Sequence, residues 1–356
     1  MTRKLMQTVP PGLAAAAAVS LGVHADPVSL SDVAFPPLPE AVASFGAATL
    51  DGWLYVYGGH RGERHQYNTE DVSGAFHRLD LAKPTAWDRL SSSLPLQGAA
   101  LVAHAHALYR VGGMAAQNGR DQDHDLRSTA TAERYDVRRA TWEELPPLPA
   151  PRSSHDAAIL GDTLYVGGGW QLHGGDTKAT WHETLLALDL SRPGSAWKSH
   201  PQPFERRALA LAAVGSKLYC IGGMGADNKT ALTVDVYDTA TGSWSPGPEL
   251  PAGPMKGFGC SAVAQGERLY FSGMKGELHR LSAAGDAWEF VGKLHHARFF
   301  HRLVAAGTTG LIAVGGEDSE SKRADLEFIG VPSTASGDAA PGIKGNQTRH
   351  AQIVNP

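Results

Sequence analysis

Leu218-Tyr219-Cys220-Ile221-Gly222-Gly223, followed by Tyr237-Asp238 and then Trp244, decides how this chain folds. A short apolar run that ends in two glycines reads as a strand stopped by a turn. The run recurs at Leu54–Gly59, Leu108–Gly113, Leu164–Gly169, Leu269–Met274 and Leu311–Gly316; the fifth copy keeps one glycine and the sixth has Ile312 in place of Tyr. The first glycines are Gly58, Gly112, Gly168, Gly222, Gly273 and Gly315, and a Trp follows five of them, at Trp87, Trp142, Trp197, Trp244 and Trp288. Repetition every ~50 residues is the period of a four-stranded unit that must stack on copies of itself to bury both faces.

Each interval carries the same series: an alternating apolar strand, the Leu-Tyr strand, a variable loop, a strand such as Thr233–Tyr237, and a Trp-led strand running into Pro. In the fourth copy Asp238-Thr239-Ala240-Thr241-Gly242 makes a hairpin connection before the Trp. The expected architecture is all-β: a six-bladed propeller with four antiparallel strands per blade. The repeat resembles the Kelch motif, and the resemblance covers about residues 28–331. The last copy has no Trp-led strand, while Phe35-Pro36-Pro37-Leu38-Pro39 reads like Leu145-Pro146-Pro147-Leu148-Pro149, the end of a fourth strand. Val28–Phe35 is therefore expected to complete the last blade and close the ring, although Asp32 stands where a Trp would align.

The unbroken repeat makes 26–331 one body. Residues 1–25 read as a secretory leader: Arg3 and Lys4, an Ala-rich apolar run at Leu13–Leu21, and Ala25 before Asp26-Pro27. That run is shorter than the ~20 residues a membrane span needs. Residues 332–356, rich in Ser, Gly, Ala and Pro, read as a flexible tail. The protein is thus expected outside the cytoplasm, secreted or periplasmic, without a membrane span. Without the leader, 30 basic face 36 acidic side chains, a net of −6 that gives no footprint for nucleic acid. Cys220 and Cys260 both fall in apolar strands; a disulfide is open to an exported pair, and two buried thiols are the plainer reading.

In a ring of blades, the loops after Gly-Gly and the joins between blades emerge on one face. They collect a polar and aromatic set: His60, Arg61 and His65, Arg152 and His155, Trp170, Arg207, Arg298 and His301, and Glu317. This mouth is the expected ligand site. Arg152-x-x-His155 and Arg298-x-x-His301 share a spacing at equivalent joins; the Arg either clamps a carboxylate while the His moves protons, or hydrogen-bonds loop carbonyls. His155, His301 and Glu317 are the candidate catalytic groups. Trp170 and Trp181 serve either as sugar platforms or as cover for a long loop. His60 and His65 with His155 or His301 form a weak metal alternative, and no metal or cofactor is assigned.

Among Kelch propellers three kinds bear on this chain. Protein-binding scaffolds present a broad apolar face, and others resemble the periplasmic N-acetylneuraminate epimerase, itself a six-bladed ring. Copper-radical galactose oxidases need a Tyr–Cys cross-link that cysteines in strands do not offer. The reading favoured here is an exported, monomeric propeller that binds a carbohydrate or acidic glycan in its central funnel. The alternatives are a sugar mutarotase, in which acid, base and carboxylate clamp come from the Arg, His and Glu above, and a protein-interaction scaffold.

Overall fold

The computed structural model describes residues 34–331 except Ser93, Asp176 and Pro254. The leader, residues 28–33 of the strand expected at Val28–Phe35, and the tail at 332–356 lie outside the described residues. Five four-stranded antiparallel sheets and one three-stranded sheet follow each other along the chain. Blade 1 holds Gly46–Leu50, Trp53–His60, Val72–Asp80 and Trp87–Leu90, and blade 2 holds Ala100–His104, Ala107–Val111, Ala132–Asp136 and Thr141–Glu144. Blade 3 is built from Asp156–Leu160, Thr163–Gly167, Thr184–Asp189 and Lys198–Pro201, and blade 4 from Ala210–Val214, Lys217–Ile221, Val234–Asp238 and Ser243–Pro246. Ser261–Gln265, Arg268–Ser272, Glu277–Leu281 and Trp288–Lys293 form blade 5; Arg302–Ala306, Gly310–Val314 and Leu326–Gly330 form blade 6. The first strand of each blade neighbours that of the next, and Arg302–Ala306 returns to Gly46–Leu50, so the propeller has six blades.

Side-chain alternation accounts for the stacking. Leu54 and Val56 pack toward blade 6, whereas Tyr55 and Tyr57 pack toward blade 2. Every blade is apolar on both faces, so six buried clusters form, one in each gap between neighbours. The tryptophans latch each blade to the one before it. Trp142 Nε1 donates to Ser91 O (3.2 Å), Trp197 Nε1 to Pro146 O (2.8 Å), Trp244 Nε1 to Pro201 O (2.8 Å) and Trp288 Nε1 to Pro248 O (2.9 Å). Trp87 Nε1 donates to Pro36 O (3.2 Å), so the segment before blade 1 occupies the place of a preceding outer strand. Leu38 N–H donates to Ala324 O (2.7 Å), as Leu148 does to Ala130 O (2.8 Å), and Phe35 and Leu38 pack into the cluster between blades 6 and 1.

At the axis the six blades are tied by a second closed ring. Gly98 N–H donates to Ser44 O, Ser154 to Gly98, Ala208 to Ser154, Gly259 to Ala208, Phe300 to Gly259 and Ser44 to Phe300, all at 2.7–3.0 Å. All six residues sit at positive φ, between 50° and 61°. One spoke crosses the axis: Arg302 Nη1 bonds Asp156 Oδ1 at 2.8 Å, Arg302 Nε donates to Phe45 O, and Asp156 Oδ2 accepts from Leu211 N–H. Both cysteines are free and buried, and burial pushes both thiols well up.

Candidate functional site

The residues flanking the axial ring build the mouth. The residue just before each ring position and the residue after each Gly-Gly pair lie side by side. Ala43 bridges His60, Gln97 bridges Met114, Ser153 bridges Trp170, Arg207 pairs with Met224, and Phe299 bridges Glu317. Five of the residues before the ring positions, Ala43, Gln97, Arg207, Phe258 and Phe299, line one cavity of about 670 Å³. Of the residues expected at the site, it brings together His60, His65, Trp170, Arg207 and Glu317, and adds Tyr67, Met114, Met274 and Lys322. Met114 and Met274 carry no polar spacing to betray them, and their signal is register, as the position after the strand-ending glycine; Tyr67 and Lys322 come from farther along the loops of blades 1 and 6.

Arg61, Arg152, His155, Arg298 and His301 do not line the cavity, which corrects the expectation that they face the ligand. Arg61 holds its own loop through two bonds to Glu70 O. Arg152 is buried and donates Nη1 to Gly168 O (3.0 Å) and Thr184 O (2.9 Å), with Nη2 on Thr184 Oγ1. Arg298 repeats the motif on Gly315 O, Asp325 O and the Asp325 carboxylate, and Arg206 on Thr233 and Asp235. These guanidiniums staple the gap between second and third strands of their own blades, where the chain leaves the sheet and its carbonyls lose ladder partners.

His155 and His301 are packing residues. The position after each ring residue is Phe45, Ala99, His155, Leu209, Cys260 or His301. His155 Cβ fills the space a side chain on Gly169 would need (2.8 Å from its ideal Cβ), and His301 Cβ does so at Gly316 (2.7 Å). Phe45, Ala99 and Leu209 fill the same space in other blades, which is why the second glycine of the pair stays bare. Burial lowers His301 to about 3, helped by Arg298 and Arg302, and pushes His155 well below its ordinary value, so both rings are neutral at pH 7. His155 Nε2 lies 3.1 Å from Val111 O and His60 Nε2 2.8 Å from Gln66 O, so both are committed to carbonyls rather than to a metal. Among the described residues no three His, Cys, Asp or Glu side chains converge.

The cavity wall has two unlike halves. From blades 3 to 6 runs a continuous stack. The Arg207 guanidinium lies 4.2 Å from the Trp170 ring and 5.5 Å from Phe258; Phe258 meets Phe300 edge-on at 5.1 Å; Phe300 meets Phe299 at 5.0 Å; and Arg64 closes the row 5.5 Å from Phe299. Next to the Phe299 end of the stack, Glu317, Asp318 and Lys322 of blade 6 and His60, His65 and Tyr67 of blade 1 form the polar half. Lys322 Nζ and Glu317 form an ion pair, with Arg64 Nε 3.5 Å from the same carboxylate. Arg207 has no carboxylate partner among the described residues; its one side-chain contact of hydrogen-bond type is Met224 Sδ at 3.5 Å, and burial lowers its pKa. With Arg64, Arg207, Lys275 and Lys322 against Glu317 and Asp318, the lining carries an excess of two positive charges. A half-buried cation held between two aromatic faces, with only a thioether sulfur on its hydrogen-bonding edge, attracts a carboxylate or similar anion.

These features define the protein's class. Residues 98–316 match the KLHDC2/KLHL20/DRC7 Kelch-repeats domain, and the chain belongs to the Kelch-repeat family of β-propellers. It is 28% identical over 220 residues to Kelch-like protein terF of Aspergillus terreus, covering 60% of this chain and 46% of that protein. It is 37% identical over 143 residues to human Kelch-like protein 33, covering 38% of this chain and 25% of that one. The chain thus spans less than half the length of these relatives. The solved structure of YjhT superposes with a TM-score of 0.67 at 18% identity, covering 83% of this chain and 97% of that chain, a likeness of fold. Among the described residues no helix is long and apolar enough to cross a membrane.

Proposed function

We propose that this propeller is exported and, as a monomer, binds a small acidic ligand in the axial cavity, with an acidic carbohydrate as the favoured class. The observation that carries the reading is Arg207, stacked on Trp170 and without a carboxylate partner. Its planar fork suits a bidentate carboxylate. The remaining Trp170 and Tyr67 surfaces suit the CH face of a sugar, and Ser44, Gln97, Ser154 and His65 offer polar groups to hydroxyls. The cavity's volume of about 670 Å³ fits a ligand of one or two sugar rings. Export rests on the leader-like residues 1–25.

A glycan array and calorimetry with uronic and sialic acids test this reading. Arg207→Ala is expected to weaken binding about a hundredfold, the loss of a charge-assisted pair. Unchanged binding in that variant removes the funnel site. Cell fractionation tests export, and light scattering tests the monomer. A mutarotase is the second reading, favoured by His65 and Glu317 lining the same cavity as Arg207. NMR of anomer exchange decides it: no acceleration at micromolar protein excludes the sugar tested.

A further inference from the structure

The apolar half of the cavity asks for more than an acidic sugar. Phe258, Phe299 and Phe300 form one contiguous aromatic surface, with Met255 and Met274 beside it on the wall. All four methionines of the described residues gather here: Met114, Met255 and Met274 line the cavity, and Met224 touches Arg207. Thioethers are flexible and polarizable, so such a wall adapts to apolar groups of varied shape. A free acidic sugar covers Arg207 and Trp170 but would desolvate its hydroxyls against phenyl rings that return no hydrogen bond.

Phe300 is the second, independent observation. The five other positions of the axial ring hold Ser44, Gly98, Ser154, Ala208 and Gly259; the two glycines take positive φ freely, and the other three carry no side chain larger than a hydroxymethyl there. Only blade 6 places a bulky aromatic there, at φ 50°. A bulky side chain in the left-handed region is strained, and such strain concentrates where a side chain serves a site. The Phe300 ring lines the cavity, packed on Phe258 and Phe299.

Resting on the acidic-ligand reading above, we infer that the ligand is amphiphilic: an acidic glycoside whose carboxylate meets Arg207 and whose aryl or alkyl arm lies on the Phe258–Phe299–Phe300 surface. The arm extends from the Arg207 end of the stack, because Phe258 contacts both the guanidinium and Phe300.

Calorimetry with phenyl β-D-glucuronide, D-glucuronic acid and phenyl β-D-glucoside separates the parts. The glucuronide is expected to bind at least about tenfold more tightly than either partner compound, the worth of one buried ring or one paired carboxylate. Phe300→Gly is expected to erase the advantage of the phenyl group while the protein still unfolds in one cooperative transition, since glycine relieves the strained φ as the ring's packing is lost. Met255→Ser, at an exposed rim position, gives a second variant in which the same advantage shrinks. Equal binding of glucuronide and glucuronic acid overturns the amphiphilic ligand and leaves the acidic site standing. Binding of the phenyl glucoside as tight as that of the glucuronide overturns the inference together with the Arg207 anchor. Binding of none of the three overturns both readings, as does a peptide ligand that displaces the glucuronide with far higher affinity. A Phe300→Gly protein that keeps the phenyl advantage moves the arm elsewhere and sinks the proposal.

Discussion

Arg298 and His301 stand three residues apart, yet each is explained by what it touches inside the blade. The Arg298 guanidinium is fully buried and bonds three carbonyls and one carboxylate. Arg298→Met is expected to cost about 3 kcal/mol, because the Gly315 and Asp325 carbonyls lose their side-chain donor inside the blade. Urea denaturation measures it; an unchanged midpoint would return this residue to the list of ligand contacts. His301 is buried with neither ring nitrogen partnered, and its pKa is lowered to about 3. Below the ordinary value of 6.5 the unfolded chain takes up a proton that the folded ring refuses. Stability associated with this group is therefore full above pH 6.5 and falls as pH drops toward 3. His301→Leu, which installs the residue that Leu209 supplies in blade 4, is expected to be at least as stable at pH 7 and to lose less on acidification to pH 5. Parallel denaturation curves at the two pH values check it, and equal acid sensitivity would refute the buried neutral ring.

At the scale of the element, the unit is a strand pair with a latch. Trp197 stands just before the fourth strand of blade 3, Lys198–Pro201, and reaches back to Pro146 O at the end of blade 2. The indole supplies both apolar area in the gap between blades and one hydrogen bond. Trp197→Phe keeps the ring and removes the donor, so a loss of about 1 kcal/mol in thermal or chemical unfolding is expected. A neutral result would mean that the ring alone carries the latch. The Leu-Tyr-x-x-Gly-Gly strand, the Trp and the turn signals were all legible in the chain because they are local and repeated. The site was less legible. Nothing in Arg-x-x-His states that the Arg side chain turns back under its own blade, nor that Arg207, one residue after Arg206, faces the axis. That difference is the alternation of side chains along an extended segment, whose phase is set by bridges such as Arg207 to Met224.

In the whole molecule, stability depends on closure. The six axial backbone bonds and the segment that receives Trp87 close the ring, and the Arg302–Asp156 pair ties blade 6 to blade 3 across it. Breaking either partner is expected to cost about 2–4 kcal/mol, since the other charge stays largely buried. The double variant Arg302→Met with Asp156→Leu is expected to recover part of that loss, and a double-mutant cycle measures the coupling. Strict additivity would show that the spoke transmits nothing between blades.

The chain by itself determined the number of blades, their strand order, the places of the tryptophans and the face on which the polar loops gather, because each follows from a local pattern repeated at a fixed period. Only the tertiary structure decided which of the polar residues on that face reach the cavity. Arg152, Arg298, His155 and His301 are withdrawn into the blades, while Arg207 is left stacked and unpaired beside a wall of Phe and Met. Side-chain direction at the axis depends on the positive-φ ring and on contacts between residues from different blades, and those distances exist only once the circle is closed.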